Sequence, residues 1–313
     1  MEITVVGLTP LGTALALALQ AAHEDIAVIG HDPDPERATR AKQLGAIDRS
    51  EWNLPAACAQ SGIILLDIPL EELRRTLQAI GDSVAPDVVI IDLAPVKRPV
   101  LAFAKEVLPH PERFVGGHLL PAPRALGGDE PSAEQIRAAT FYLVASPETS
   151  AQALDIASDL AVAVGAVPRY IDAVEHDGLM AATGQLPVVA SAGIVGTLAT
   201  AAGDQERGDA AGPAVAALRL VLGEGIDAAT LVGNADNLLY WIDRYVVELQ
   251  RLRRLVAEEE RSGLAEALSA ASETLARWTA SDDEAQEPAE PRHRGGALRD
   301  LLLGGLGRSR TGR

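Results

Sequence analysis

Six histidines are the chain's candidates for proton transfer near neutral pH, because imidazole has its ordinary pKa there. One of them, His118, follows Gly116-Gly117 at the end of a short apolar run that begins at Phe114-Val115. In an open α/β sheet a strand-end loop faces the crevice where ligands lie, so a general-base role is open to His118. Capping a helix or bonding a backbone carbonyl would use the same residue equally well. His23, His31, His110 and His293 fall in expected loops or helix ends, and no two histidines have metal-ligand spacing, so no metal is expected. The single cysteine, Cys58, lies in an apolar helix-like stretch and reads as a buried, inert thiol.

A second chemical feature opens the chain. The apolar run Ile3 to Val6 breaks at Gly7-Leu8-Thr9-Pro10-Leu11-Gly12, passes into an alanine/leucine helix and reaches Ile26 to Gly30, then His31-Asp32. Strand, glycine turn, helix and second strand ending in an acid is the order of parts that holds a dinucleotide. The turn and the helix N-terminus offer N–H groups to the pyrophosphate, and the acid bonds a ribose hydroxyl. Asp32 would accept from a free 2′-hydroxyl and repel a 2′-phosphate, so NAD is favoured over NADP. The middle glycine of the usual G-x-G-x-x-G pattern is Thr9, whose β-carbon narrows the approach to the phosphates. A tight turn that binds nothing stays open as the alternative.

The elements that would position these groups alternate along the first half. Apolar strands are expected at Ile63–Asp67, Asp87–Asp92, Phe114 onward, Phe141–Ala145 and Val167–Ile171, separated by helical segments. The expected fold is α/β, a Rossmann-type doubly wound parallel sheet over residues 1–171, covered by helices on both faces. From Asp172 the pattern turns to helices only, giving an all-helical substrate and dimerisation domain over 172–281. Within it, apolar residues from Leu238 to Leu255 recur every three or four positions, the mark of an amphipathic helix. Its wide apolar face suits a homodimer interface, and an intramolecular bundle explains the same pattern. Residues 282–313 are acidic and proline-broken at the start and are expected to be a disordered tail.

Composition narrows the partners. With 313 residues and a formal charge of −17, the chain would repel a nucleic-acid backbone and an anionic membrane face, so a small-molecule substrate is expected and neither of those. An anionic substrate would need a local basic pocket. The N-terminus begins directly with a strand, and no uninterrupted apolar run reads as a membrane span, so a cytoplasmic location is the expectation.

Taken together, the ordered pieces resemble the prephenate/arogenate dehydrogenase family, over about residues 1 to 260. The likeness rests on Gly7 to Gly12 with Asp32, Asp67-Ile68-Pro69, Asp92-Leu-Ala-Pro-Val-Lys97, Gly116-Gly-His118, Glu175-His176-Asp177 and Leu186-Pro187. It implies NAD-dependent oxidative decarboxylation of a cyclohexadienol in tyrosine biosynthesis. His118 would then take the proton from the ring hydroxyl, and Gly7, Leu8, Thr9, Leu11, Gly12, Asp32, Ile68 and Pro69 would bind the cofactor. His176 would fix a turn or helix start at the entry to the helical domain. On the substrate side the chain departs from the family. The family's Ser-His-Leu-Pro-His reads Gly184-Gln185-Leu186-Pro187-Val188, and the serine before Val-Lys is Pro95. The arginine that pairs with a substrate carboxylate has only Arg219 as a shifted stand-in, with Arg98 and Arg124 as further candidates. Gln185 and Arg219 are therefore the expected substrate-binding residues.

Loss of one charged hydrogen-bond partner costs about 1.5–3 kcal/mol, so these departures bear on which substrate is used. Two readings follow: a dehydrogenase acting on prephenate, arogenate or a related substrate, and a non-catalytic nucleotide-binding dimer serving as sensor or assembly partner.

Overall fold

The structure is a computed structural model that describes residues 1–23, 25–121, 130–199, 212–223 and 227–284. It divides into two compact units, Met1–His176 and the part that begins at Asp177.

The first unit is built on an eight-stranded sheet in the order β3-β2-β1-β4-β5-β6-β7-β8. Its strands are β1 (Glu2–Val6), β2 (Ala27–His31), β3 (Arg49–Ser50), β4 (Ser61–Leu66), β5 (Val89–Asp92), β6 (Phe114–Leu120), β7 (Thr140–Val144) and β8 (Val167–Tyr170). The central strands β1, β4 and β5 are short runs rich in Val, Ile and Leu because they are covered on both faces, while the edge strands β3 and β8 carry exposed residues. Helices α1 (Pro10–Ala22) and α6 (Ala151–Ala163) bury Leu15, Leu19, Ile156 and Leu160 in one cluster with Ile3, Val5, Ile63, Leu65, Ile91 and Val115 of the sheet. Helices α4 (Leu70–Gly81) and α5 (Arg98–Val107) pack on each other and bury Leu73, Leu77, Ile80 and Val100 outside that cluster. The doubly wound expectation holds, with one amendment. β6 and β7 run antiparallel while every other pair is parallel.

That amendment moves His118. Its run does not stop at Gly116-Gly117 but continues to Leu120, and His118 pairs across to Tyr142 of β7. It is thus a mid-strand residue and not the loop residue expected from sequence. The antiparallel partner is what extends β6 beyond the end of β5, because β7 supplies ladder bonds where β5 has already ended at Asp92.

The chain leaves β1 outward to β2 and β3, then returns to β4 on the other side of β1. This reversal of winding is the switch point at which open α/β sheets bind ligands, beyond the carboxyl ends of the strands. Parallel register sets Val6 beside His31 and Leu66, Leu66 beside Asp92, and Asp92 beside Gly116. The residues that follow, Gly7, Asp32, Asp67 and Gly117, therefore emerge along one edge of the sheet.

A charged pair ties that edge together from within. Lys97, fully buried at the start of α5, donates from Nζ to Asp92 Oδ2 and, at 2.5 Å, to the Gly117 carbonyl. The Asp92 carboxylate also accepts from the Ala94 and Gly117 N–H groups at 3.0 and 3.2 Å. A side chain on Gly117 would collide with the Asp92 carbonyl oxygen, which explains glycine just before His118.

The second unit is helical. Its elements include a π-helical turn (Ala181–Gln185), α8 (Leu186–Ala199), α9 (Pro213–Leu222), α10 (Ala228–Gly233), α11 (Ala235–Ala257) and α12 (Arg261–Glu284); helix α7 (Ala173–Met180) contains the limit between the units. The stretch Ala173–Ala199, with a mean hydropathy of 1.4 over its most apolar window, is long and apolar enough to cross a membrane by length and composition. The long amphipathic helix expected around Leu238–Leu255 is α11. α12 runs to Glu284, three residues past Ser281, and the remainder of the expected tail lies outside the described residues.

Removing one partner of a buried ion pair leaves the other charge uncompensated, at a cost of about 3–5 kcal/mol. Lys97→Met is expected to lower the unfolding free energy by that amount in urea titration, and a simultaneous Asp92→Leu should restore a large part of it.

Candidate active site

The expected cofactor residues come together at the switch point. Gly7 ends β1 with φ +92°, and a side chain there would collide with the Asp67 carbonyl and approach Ile68 Cγ2 at 3.1 Å. Only glycine fits this turn. Leu8 N–H donates to Asp32 Oδ2 at 2.7 Å, and Asp34 N–H to Asp32 Oδ1 at 2.8 Å. Asp32 therefore pins the glycine turn to the end of β2, with Arg37 Nη1 3.8 Å away. Thr9 is the N-cap of α1, its Oγ1 accepting from Leu11 N–H at 3.1 Å and Gly12 N–H at 3.3 Å. The threonine that breaks the glycine pattern thus has a local structural cause. Ile68 and Pro69 follow β4, with Pro69 preceding α4.

Asp67, quoted from sequence only as part of a motif, proves to be central. Its Oδ2 accepts from the Thr9 hydroxyl and from Gly12 N–H at 2.7 Å. Burial pushes this carboxyl above the usual Asp range, more than Thr9 and Gly12 hold it down; Asp32 adds to the rise and Arg37 opposes it.

His118 has a partner that sequence reasoning missed. His118 Nδ1 lies 3.0 Å from His176 Nε2, with both rings buried and edge-on at 5.1 Å between centroids. Tyr142 lies edge-on to His176 at 5.7 Å. His176 is not simply a turn or helix-start residue; it fixes the ring of His118. Burial first, then the neighbouring imidazole and the charge of Lys97, hold the His118 pKa well below the ordinary 6.5. His118 is neutral at neutral pH. In the tautomer where Nδ1–H donates to His176, Nε2 is left as the nitrogen able to take a proton. The one signal for His176 in the sequence was its place beside Asp177.

The expected substrate residues lie in the second unit. Gln185, at the end of the π-helical turn, is 1% exposed, and its Oε1 accepts from Asn234 Nδ2 at 3.0 Å. Asn234 Nδ2 also donates to the Asp177 carbonyl at 2.7 Å. Gln185 Nε2 is a buried donor without a hydrogen-bond partner. Arg219 is exposed on α9. Arg98 is the first residue of α5, half-buried and engaged, and Arg124 lies outside the described residues. Cys58 is buried, and burial pushes its thiol up to about 12, as an inert thiol requires. Among the described residues no group of three or more His, Cys, Asp or Glu side chains is placed to hold a metal ion.

Comparison with known proteins bears on these parts. Residues 15–170 match the family described as prephenate dehydrogenase, nucleotide-binding domain, and residues 172–270 match prephenate dehydrogenase, dimerization domain. Prephenate dehydrogenase of Bacillus subtilis (strain 168) is 24% identical over 275 residues, covering 84% of this chain and 72% of that protein. Cyclohexadienyl dehydrogenase of Zymomonas mobilis is 25% identical over 272 residues, covering 85% and 92%. Among solved structures, prephenate dehydrogenase from A. aeolicus, in complex with hydroxyphenyl propionate and NAD+, superposes with a TM-score of 0.76 at 19% identity, covering 88% of this chain and 98% of that one. Synechocystis arogenate dehydrogenase gives 0.68 at 21%, covering 89% and 100%. The expectation of NAD accords with the nucleotide-binding match, and the apolar helices from Ala173 onward fall in the dimerization match. With both of its halves matched in order, the chain belongs to the prephenate dehydrogenase family.

Proposed function

We propose that the chain is an NAD-dependent dehydrogenase that oxidises prephenate, arogenate or a less anionic relative with loss of carbon dioxide. NAD, when bound, supplies the hydride acceptor. The single observation that carries the reading is the buried, neutral His118, oriented by His176, in the unit that matches a nucleotide-binding domain. His118 Nε2 takes the proton of the substrate ring hydroxyl, while the contact of its Nδ1 with His176 holds the ring in place. Asp32 and the Gly7–Gly12 turn hold the cofactor, with Ile68 and Pro69 beside them. Gln185 offers the substrate a neutral donor through its orphan Nε2, and Arg219 a cation, so a substrate with fewer carboxylates than prephenate suits this chain. The helical unit forms a homodimer, supported by the dimerization match and by Leu239, Val246, Val247 and Leu249 exposed on α11. We assign the enzyme to the cytoplasm.

A second reading, a catalytically silent nucleotide-binding dimer, is favoured by one observation: Asp67 and Thr9 satisfy the α1 N-terminus that a diphosphate would use. Mixing protein with NAD and each substrate in turn separates the two. NADH absorbance should rise with at least one of prephenate, arogenate and their decarboxy-analogue panel, and His118→Asn should lower kcat by about 10²–10⁴. NAD binding without turnover of any of them would leave the silent dimer.

The pH dependence has a definite sign. Because the folded His118 pKa lies below 6.5, the base stays deprotonated at neutrality, and the acid limb of kcat/KM should fall below pH 6.5. Below pH 6.5 the unfolded chain binds a proton that folded His118 refuses. Stability contributed by neutral His118 is therefore full above 6.5 and is lost as pH falls toward the folded pKa. Denaturant titrations at pH 7 and pH 5 should show this loss in the wild type and a smaller one in His118→Asn.

A further inference from the structure

Helix α1 starts at Pro10, Leu11 and Gly12, the positions whose N–H groups a helix would ordinarily offer to an anion. In this chain none of them does so freely. Pro10 has no N–H. Leu11 N–H is taken by Thr9 Oγ1 at 3.1 Å. Gly12 N–H is taken by Thr9 Oγ1 and, more closely, by Asp67 Oδ2 at 2.7 Å. The Thr9 hydroxyl in turn donates to Asp67 Oδ2, so one carboxylate holds both the Gly12 N–H and the capping hydroxyl. Asp67 reaches this place because it follows β4 at the switch point, directly beside the end of β1.

We propose that Asp67 is a built-in anion on the diphosphate position, so that a dinucleotide binds only when this carboxylate is protonated or swings away. The inference rests on the NAD assignment above and extends it. A diphosphate and an ionised carboxylate cannot both take the Gly12 N–H, and like charges at that distance repel. The groups facing Asp67 are the Thr9 hydroxyl and Gly12 N–H of the α1 start, the Asp32 carboxylate after β2 and the Arg37 guanidinium of helix Pro35–Gln43. Burial and Asp32 favour its neutral form, while Thr9, Gly12 and Arg37 favour the charged one, and the net direction is upward. Where the carboxyl gives way by protonation, cofactor binding is coupled to proton uptake; where it swings away, it is not. Affinity is highest at low pH and weakens as Asp67 ionises. Adenosine, which has no phosphate, escapes the competition.

Calorimetric titration of NAD, ADP and adenosine into the full chain tests this from pH 5.5 to 8.5, with Asp67→Ala and Asp67→Asn as variants and buffers of different ionisation enthalpy. The wild type should bind NAD and ADP more weakly as the pH rises, with net proton uptake at the acid end. Both variants should bind them at least tenfold more tightly than the wild type at pH 8.5, with no uptake and with adenosine affinity unchanged. The isosteric Asp67→Asn keeps the test valid if the alanine variant does not fold. Variants that bind NAD no more tightly than the wild type, or that gain as much for adenosine as for ADP, would overturn the role of Asp67 and leave the NAD assignment standing. If NAD binds to no form of the protein at any pH, both fall together.

Discussion

The buried contact of Lys97 with Asp92 and the Gly117 carbonyl is the constraint on which the catalytic edge depends. An ammonium with no exposure to water must find strong acceptors, and here they come from the end of β5 and from the backbone one residue before His118. The pair therefore does more than balance charge. It couples the start of α5 to two strands and sets the height at which β6 leaves the sheet's parallel part. The requirement for glycine at 117 follows from the same closeness, since Asp92 bonds its N–H and stands against its Cα. Lys97 also acts on the imidazole, because its charge disfavours a second cation nearby and helps keep His118 neutral.

His118, buried, and Asp67, half-buried, lie along this edge, and their environments push both toward neutrality from opposite directions. Burial lowers the pKa of His118 and raises that of Asp67. A neutral imidazole is able to accept a proton, which suits a base. The same physical cause, withdrawal of water, acts on both groups. Cys58, in the same unit, is neutral for the same reason and has no comparable partner to make use of it.

In the helical unit the departures from the family pattern have their own internal logic. Asn234 bridges Gln185 Oε1 and the Asp177 carbonyl, so the side chain that replaces an imidazole is held by its acceptor end and keeps its donor end unspent. An unpartnered buried donor costs about 1–3 kcal/mol, a penalty that a substrate acceptor would remove. Gln185 keeps one hydrogen-bonding group in the place of the imidazole.

The sequence by itself determined the class of fold, the NAD-type turn, the helical second half and the candidacy of His118. These features rest on local physics: two-residue and 3.6-residue periodicity, a glycine needed for positive φ at Gly7, and an acid closing the second strand at Asp32. What it could not determine was any relation between residues distant along the chain. The antiparallel pairing of β6 with β7 turned His118 from a loop residue into a strand residue. The pairing of His118 with His176 spans 58 positions, and that of Gly12 with Asp67 spans 55. Lys97 stood in the sequence only as the last residue of Asp92-Leu-Ala-Pro-Val-Lys97, and the fold buried it. Tertiary structure alone decided these, because burial and proximity, not residue type, set whether a carboxylate is a surface charge or an occupant of a binding site.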